Sequence, residues 1–94
     1  MSSVSEVHHE IVHYSGRVQG VGFRYTTVLL SKGYDVSGVV QNLADGRVRM
    51  EVEGEKDEVN AFLAAIEERM QGYVRHVDRE GGRRAPQFSG FAVR

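Results

Sequence analysis

The sequence predicts a two-layer α/β sandwich in which two helices pack on one face of an antiparallel sheet. Its 94 residues suffice for one domain with a single core, but not for a second domain. Several short segments alternate apolar and polar residues, which is typical of half-buried strands. Two longer segments repeat apolar residues every three or four positions, which indicates helices with one buried face.

The chain begins with a strand and a glycine loop. Residues 8–16 are predicted as a strand, with Val12 and Tyr14 on one face and Ile11 and His13 on the other. The loop that follows leads into the first helix.

The next elements are a helix and a hairpin. The helix is predicted over residues 23–33 and ends at Gly33, a good C-cap residue. Its apolar residues are Phe23, Val28, Leu29 and Leu30. A valine-rich strand over 36–42 and an alternating strand over 47–53 are joined through Asp45-Gly46, a hairpin turn signal.

The second half contains the clearest helix, over residues 56–71, with Gly72 at its end. Its apolar stripe consists of Val59, Phe62, Leu63, Ile66 and Met70. Residues 73–80 are predicted as a strand, 81–87 as a Gly/Arg/Pro loop, and 88–94 as a last strand. In that last strand Phe91 and Val93 are the candidates to face the core.

The predicted elements up to residue 80 follow the order β-α-β-β-α-β. Two helices of this length cannot cover both faces of a four-stranded sheet, so both are expected on one face, which gives a ferredoxin-like fold. We expect a single domain over residues 1–94, with residues 1–7 as a flexible N-terminal extension.

Composition limits the class of protein. The chain has no cysteine, which excludes disulfides and thiol chemistry, and its net charge of −1 argues against general nucleic-acid binding. No segment has the pattern of a signal peptide or a membrane span, so we expect a cytoplasmic protein that does not associate with membranes. At this size a monomer is the expected state.

Charge is distributed unevenly along the second half. Residues 43–68 hold eight acidic and three basic residues, whereas residues 69–94 hold six arginines and two acidic residues. We interpret this as a solvated acidic helix and a basic loop. The alternative is that the basic end steers anions toward a site.

The loop between the first strand and the first helix has the pattern of an anion-binding loop. It reads Gly16-Arg17-Val18-Gln19-Gly20-Val21-Gly22-Phe23-Arg24 and contains no Ser, Thr, Asp or Asn that could cap the helix. Arg24 falls in the first helical turn, where the helix dipole disfavours a cation by about 0.3–1 kcal/mol. From Ile11 to Tyr34 there is no Asp or Glu. A bound phosphate or carboxylate would satisfy both the amides and the arginine; the alternative is a plain glycine turn with a surface arginine.

Asn42 stands at the end of the second strand, just before the hairpin turn. In the predicted topology it can approach the start of the first helix, where its amide could hold and orient a water molecule. An asparagine before an Asp-Gly turn is also ordinary turn chemistry. The residue alone therefore leaves both interpretations open.

Together these two segments resemble the signatures of the acylphosphatase family. Segment 16–24 fits the family's first signature at every defining position, and Gly38-Val39-Val40-Gln41-Asn42 with Asp45-Gly46-Arg47-Val48 fits the second. The resemblance covers essentially the whole chain. It departs at Val39, where the family often has Trp, and at Gln41, where it often has Arg or Lys, and losing that base could weaken substrate steering.

The resemblance implies an enzyme that hydrolyses acyl phosphates to a carboxylate and inorganic phosphate, with no metal, no other cofactor and no covalent intermediate. It implies that Asn42 positions the attacking water and that Arg24 binds the phosphoryl group. The phosphoryl group would also be bound by the backbone amides of Val18, Gln19, Gly20, Val21, Gly22 and Phe23. Inorganic phosphate or sulfate could occupy the same site.

Two further groups of residues are the histidines of the first strand and the tyrosines. His9 and His13 share a strand face but lie about 14 Å apart in an extended strand, so one metal ion cannot join them to each other, and the cluster with His8 is not expected to bind a metal. The tyrosines are expected in the core or half-buried: Tyr14, Tyr25, Tyr34 and Tyr73.

Two other functions remain open on the same fold. One is a non-catalytic anion-binding or regulatory module, because the fold alone does not specify an enzyme. The other is an RNA-binding module, although the segment 47–53 lacks the aromatic residues that stack on bases.

Overall fold

The computed structural model describes residues 5–94 and contains a five-stranded sheet with two helices. The elements are β1 (Val7–Gly16), α1 (Phe23–Ser31), β2 (Val36–Asn42), β3 (Val48–Gly54), α2 (Lys56–Arg69), β4 (Val74–Arg84) and β5 (Phe91–Val93). Of the predicted extension, residues 1–4 lie outside the described residues, and Val7 belongs to β1.

The strands lie in the order β4-β1-β3-β2-β5. The first four pair antiparallel, which confirms the predicted ferredoxin-like arrangement. The fifth strand pairs parallel with β2, so the sheet is mixed rather than purely antiparallel. This pairing is possible because the chain returns from one edge of the sheet to the other before β5 begins.

The core lies between the helices and one face of the sheet. Alternate residues of the strands point into it, and α2 contributes the predicted apolar stripe. The completely buried members include Val12, Tyr14, Val40, Val48, Met50, Val52, Val59, Phe62, Leu63 and Ile66. Burying such side chains contributes about 1.5–3 kcal/mol each, so this face fixes the register of the sheet.

The prediction of a loop over 81–87 is wrong for its first half, because β4 continues to Arg84. Gly81 pairs with Glu10 in β1, and a Cβ at Gly81 would lie 2.7 Å from the His9 carbonyl oxygen. The glycine therefore allows close approach inside the sheet instead of breaking the strand.

The segment 85–90, here called the strap, joins β4 at one edge of the sheet to β5 at the other. It passes over the face opposite the helices, where the buried Glu53 holds it. The Glu53 carboxylate accepts hydrogen bonds from the backbone amides of Gln87, at 2.9 and 3.0 Å, and Phe88, at 2.9 Å. Arg84 Nη2 lies 3.6 Å from the same carboxylate.

The basic end of the chain is largely tied to the sheet. Arg79 donates two hydrogen bonds to Glu10, at 2.6 and 2.7 Å, and a third to Asn60 Oδ1 at 3.0 Å. This arginine therefore links β1, β4 and α2. The interpretation of residues 69–94 as a basic loop is wrong for Arg79 and Arg84, which lie in β4 and make ion pairs within the fold.

Both helices end slightly earlier than predicted. The C-cap of α1 is Lys32 and that of α2 is Met70. Gly33 does not adopt a left-handed conformation, whereas Gly72, just after α2, has φ +89°. Neither helix has the length and apolar content needed to span a bilayer, as judged over residues 5–94.

Candidate active site

The loop over residues 17–22, here called the cradle loop, connects β1 to α1 and is fixed at its beginning by the backbone. Gly16 has φ +126°, and a Cβ there would lie 2.4 Å from the Tyr73 carbonyl oxygen. That same oxygen accepts a hydrogen bond of 2.8 Å from the Arg17 amide. The first signature therefore requires glycine at position 16 for both conformation and close contact.

Apolar side chains anchor the loop on both sides. Val18 and Phe23 are 1% and 2% exposed, and the Phe23 ring packs on that of Tyr14 with centroids 4.8 Å apart. Burial raises the pKa of Tyr14, so this phenol stays neutral and protonated. Its role is therefore packing below the loop rather than proton transfer.

Gln19 ties the loop to the β2–β3 hairpin. Its Nε2 donates hydrogen bonds to the carbonyl oxygens of Leu43, at 2.8 Å, and Arg47, at 2.9 Å. The hairpin itself is closed by the Leu43 amide, which donates to the Arg47 oxygen at 2.8 Å. The Gln19 side chain thus positions two parts of the site relative to each other, a role that its place in the signature did not reveal.

The α1 helix begins without a side-chain cap. Its N-cap is Gly22, with φ 80° and ψ 18°, and its first turn contains no acidic residue. Gly20 also has a positive φ of 79°, and at both glycines a Cβ would meet open space. Glycine is therefore needed at both positions because their positive φ angles turn the loop sharply into the helix.

The amides of residues 18–23 have no hydrogen-bond acceptor among residues 5–94. Arg24, in the first turn of α1, likewise makes no ion pair or hydrogen bond with a described residue. The predicted absence of a cap and the cation at the helix N-terminus are both confirmed. Free amides and a free guanidinium at one helix start form an environment that favours an anion.

Asn42 ends β2 and lies on the same cavity as Arg24. Its Oδ1 is buried and has no hydrogen-bond partner among the described residues. The turn chemistry is instead carried out by Asp45, whose Oδ1 accepts from the Arg47 amide at 3.0 Å. Hydrogen bonds from Arg47, from the amide first, lower the pKa of Asp45. The Asn42 side chain therefore makes no hydrogen bond within the hairpin.

A cavity of about 330 Å³ opens at this point. It is lined by Val18, Gly20, Gly22, Phe23, Arg24, Tyr25, Val28, Asn42 and Val93. Six of the eight predicted site residues are among these, whereas Gln19 and Val21 are not. The lining contains no carboxylate, so an anion entering the cavity meets Arg24 without competition from an adjacent acid.

The lining also includes Tyr25, Val28 and Val93, which the sequence patterns did not assign to the site. Tyr25 was expected in the core or half-buried but is 72% exposed, and Tyr73 is 39% exposed. Val93 was expected to face the core but is 49% exposed. An exposed apolar residue breaks the period of its own element, so no local pattern could have predicted these positions.

Comparison with known proteins gives consistent matches. A model of the acylphosphatase family matches residues 10–93. An acylphosphatase from Salinibacter ruber is 42% identical over 81 residues, which is 85% of each chain. An acylphosphatase from Listeria welshimeri is 50% identical over 56 residues, or 60% of each chain, so this chain aligns with less than two thirds of that relative. The crystal structure of an acylphosphatase from Bacillus subtilis has a TM-score of 0.84 at 28% identity, covering 92% of this chain and 97% of that one.

Proposed function

Because the chain belongs to the acylphosphatase family, we propose that it hydrolyses acyl phosphates to a carboxylate and inorganic phosphate. The observation that carries the proposal is the meeting of three unsatisfied groups at one cavity. These are the amides of the cradle loop and of Phe23, of which residues 18, 20, 22 and 23 line the cavity, the Arg24 guanidinium and the buried Asn42 Oδ1. The amides and the guanidinium are donors suited to a phosphoryl group, and the third group is an acceptor suited to a water molecule.

In the proposed reaction the amides and Arg24 bind the phosphoryl oxygens. Phosphoryl transfer spreads negative charge over these oxygens, and catalysis consists mainly of positioning and electrostatic stabilisation. The Arg24 guanidinium and the amides make no hydrogen bonds or ion pairs within the described chain. Few existing contacts therefore have to be broken when the phosphoryl group binds.

Asn42 would hold the attacking water through its Oδ1. The water oxygen forms a bond to phosphorus while the bond between phosphorus and the acyl oxygen breaks, and the carboxylate leaves with the electron pair. A carboxylic acid has a pKa of about 4, so this leaving group needs no general acid. The proton of the water passes to a phosphoryl oxygen and then to solvent.

The test is hydrolysis of acetyl phosphate in the presence of excess chelator. We expect metal-independent turnover by the wild type and a decrease in kcat of about 10²-fold for Asn42→Ala, since one water-positioning contact is lost. Asn42→Asp keeps the shape but adds a negative charge beside the phosphoryl group, so it should also raise KM for the substrate.

The main alternative is a non-catalytic anion-binding module. It predicts no turnover of acetyl phosphate, although inorganic phosphate would still bind and Arg24→Ala would abolish that binding. Isothermal titration with phosphate beside the hydrolysis assay separates the two functions. A cytoplasmic location and a monomeric state stay predictions from the sequence.

A further inference from the structure

The cavity beside the cradle loop has an apolar wall formed by Tyr25, Val28 and Val93. Tyr25 and Val93 are two of only four large apolar residues that are strongly exposed among residues 5–94. Exposed apolar groups next to a polar site commonly contact a ligand. The wall has no part in binding a phosphoryl group, so its presence at the cavity calls for a separate explanation.

One part of the wall, Val28, lies close to Arg24 on α1. Val28 follows Arg24 by one helical turn, so the two side chains lie on the same face of α1 with a rise of about 6 Å between them. A group bonded to a phosphoryl oxygen held at Arg24 would therefore reach Val28 through a short chain.

The opposite part of the wall comes from β5. The pairing of Val40 with Val93 puts Val93 beside β2, two residues before Asn42. The wall thus combines residues of α1 and of the edge strand β5 at a cavity that Arg24 and Asn42 also line.

The charge of the residues that line the cavity favours a ligand with a single anionic group. Arg24 is the only cation among the residues that line the cavity, and in the proposed function it is bound to the phosphoryl group. A second negative charge on the ligand would lie against apolar side chains with no partner, which is unfavourable.

On the basis of the proposed function, we infer that the wall binds the acyl group and selects acyl phosphates whose acyl chain is apolar and uncharged. Substrates that carry a carboxylate at the far end of the acyl chain would be disfavoured. The wall is therefore a specificity determinant, and its residues take no part in the bond-making step.

The first test compares acetyl, butyryl and hexanoyl phosphate, whose carboxylic acids have nearly equal pKa values. Because a methylene half-covered by the wall gains about half of the free energy of full burial, kcat/KM should rise about two-fold per methylene. The change should fall on KM, with kcat nearly constant, because the contact is the same in the ground state and the transition state.

The second test compares hexanoyl with adipoyl phosphate, which has the same six-carbon chain with a terminal carboxylate. We expect a kcat/KM about ten-fold lower for adipoyl phosphate, since its terminal charge loses hydration at the wall. Equal kcat/KM for the two substrates would contradict the inferred selectivity.

The variant for both tests is Tyr25→Ser with Val93→Thr, two exposed positions at which folding should be preserved. The ratio of kcat/KM for hexanoyl to acetyl phosphate should fall about three-fold or more in this variant. Leu29→Thr is the matched control, because Leu29 is 45% exposed on the same helix but does not line the cavity. Its ratio should equal that of the wild type.

The outcomes separate the two proposals. If the wild type hydrolyses no acyl phosphate, the proposed function is wrong, and titration with methyl-, butyl- and hexylphosphonate still measures whether affinity rises with chain length. If all three substrates are hydrolysed with equal kcat/KM, or the variant keeps the wild-type ratio, only the inference about the wall is overturned. Equal kcat/KM together with a dimer that the variant abolishes would assign the wall to a second copy of the chain.

Discussion

The cradle loop and the strap bring together the same chemical groups with opposite results. In the strap, the amides of Gln87 and Phe88 converge on the Glu53 carboxylate, and the Arg84 guanidinium lies beside it. At the cradle loop, amides and Arg24 also lie together, but no carboxylate of the described chain reaches them. The comparison indicates that converging amides stabilise the fold when the chain supplies the anion, and form a binding site when it does not.

This difference has an energetic basis. A buried carboxylate that accepts several amide hydrogen bonds stabilises the folded state, because each charged hydrogen bond contributes about 1.5–3 kcal/mol. An unpaired cation at a helix N-terminus is mildly destabilising. The strap should therefore contribute to the free energy of unfolding, whereas the cradle loop should lower it until an anion binds.

The largest expected effect is that of Arg24→Ala on activity. We expect kcat for acetyl phosphate to fall about 10³-fold, since a positioned arginine stabilises the charge of phosphoryl transfer by that order. In buffer without phosphate the free energy of unfolding should rise by about 0.5 kcal/mol, because an unfavourable cation is removed from the helix start.

Lys32→Ala is the matched control for that change. It removes the same charge from the other end of α1, where a cation is favourable, so stability should fall slightly and activity should not change. If Arg24→Ala kept activity within ten-fold of the wild type, Arg24 and the cradle loop would not be the site that binds the phosphoryl group.

The next effect is on the strap, through Glu53→Gln. The substitution leaves one oxygen for the amides and turns an NH₂ group toward them, so we expect a loss of about 3 kcal/mol in the free energy of unfolding, measured with urea. Activity at low temperature should be retained. Glu51→Gln is the control on the same strand, because the Glu51 side chain, 15% exposed, pairs with Arg49 and Arg84 but accepts no hydrogen bond from a strap amide. A loss as large as that of Glu53→Gln would show that the strap amides are not the cause.

A third prediction concerns how stability depends on pH, which distinguishes the carboxylate of Glu10 from a phosphate bound from solution. The hydrogen bond from Arg79 is the main reason that the pKa of Glu10 lies below its ordinary value of 4.5. Because the folded pKa is lower than the unfolded one, the stabilisation is complete above about pH 4.5 and is lost as pH falls through the folded pKa.

Glu10→Gln should therefore cost about 2 kcal/mol at pH 7 and less at pH ~3. Urea denaturation at four pH values measures this difference, and a constant difference would contradict the prediction. The stabilisation by added phosphate should depend on Arg24 instead and be unaffected by Glu10→Gln.

The smallest effect is expected for Gln19→Ala, which removes the link between the cradle loop and the hairpin. Two carbonyl oxygens lose a donor, so the free energy of unfolding should fall by about 1 kcal/mol, and phosphate affinity should fall about five-fold. Gln19→Glu has the same shape but presents oxygens to those carbonyls. It should be worse than alanine in both measurements, and the opposite order would mean that Gln19 does not position the loop.

Local sequence patterns were sufficient for most of the helices and strands, and six of the eight candidate site residues line one cavity, although their roles stay predictions. The alternation in β3 and the stripe of α2 follow from burial on one face, and the uncapped start of α1 follows from the residues between Gly16 and Arg24. These features depend on neighbours in the sequence, which explains why they could be predicted.

The features that sequence patterns missed depend on contacts between distant segments. Gly81 continues β4 because it lies against His9 and Glu10, and the strap is held by Glu53, more than thirty residues earlier in the chain. Val93 lines the cavity because β5 pairs with β2. Such pairings leave no signal within the segment itself.

The pairing of β1 with β4 also has a consequence for how the chain reaches its folded state. Glu10 and Arg79, which this pairing brings together, are 69 positions apart, so most of the chain must form one large loop before that part of the sheet can form. Folding dominated by such distant pairings takes milliseconds to seconds in small domains. The cradle loop is local, but Asn42 and Val93 reach it only after β2 and β5 have joined the sheet, so recovery of activity after dilution from urea would report the completion of folding rather than its beginning.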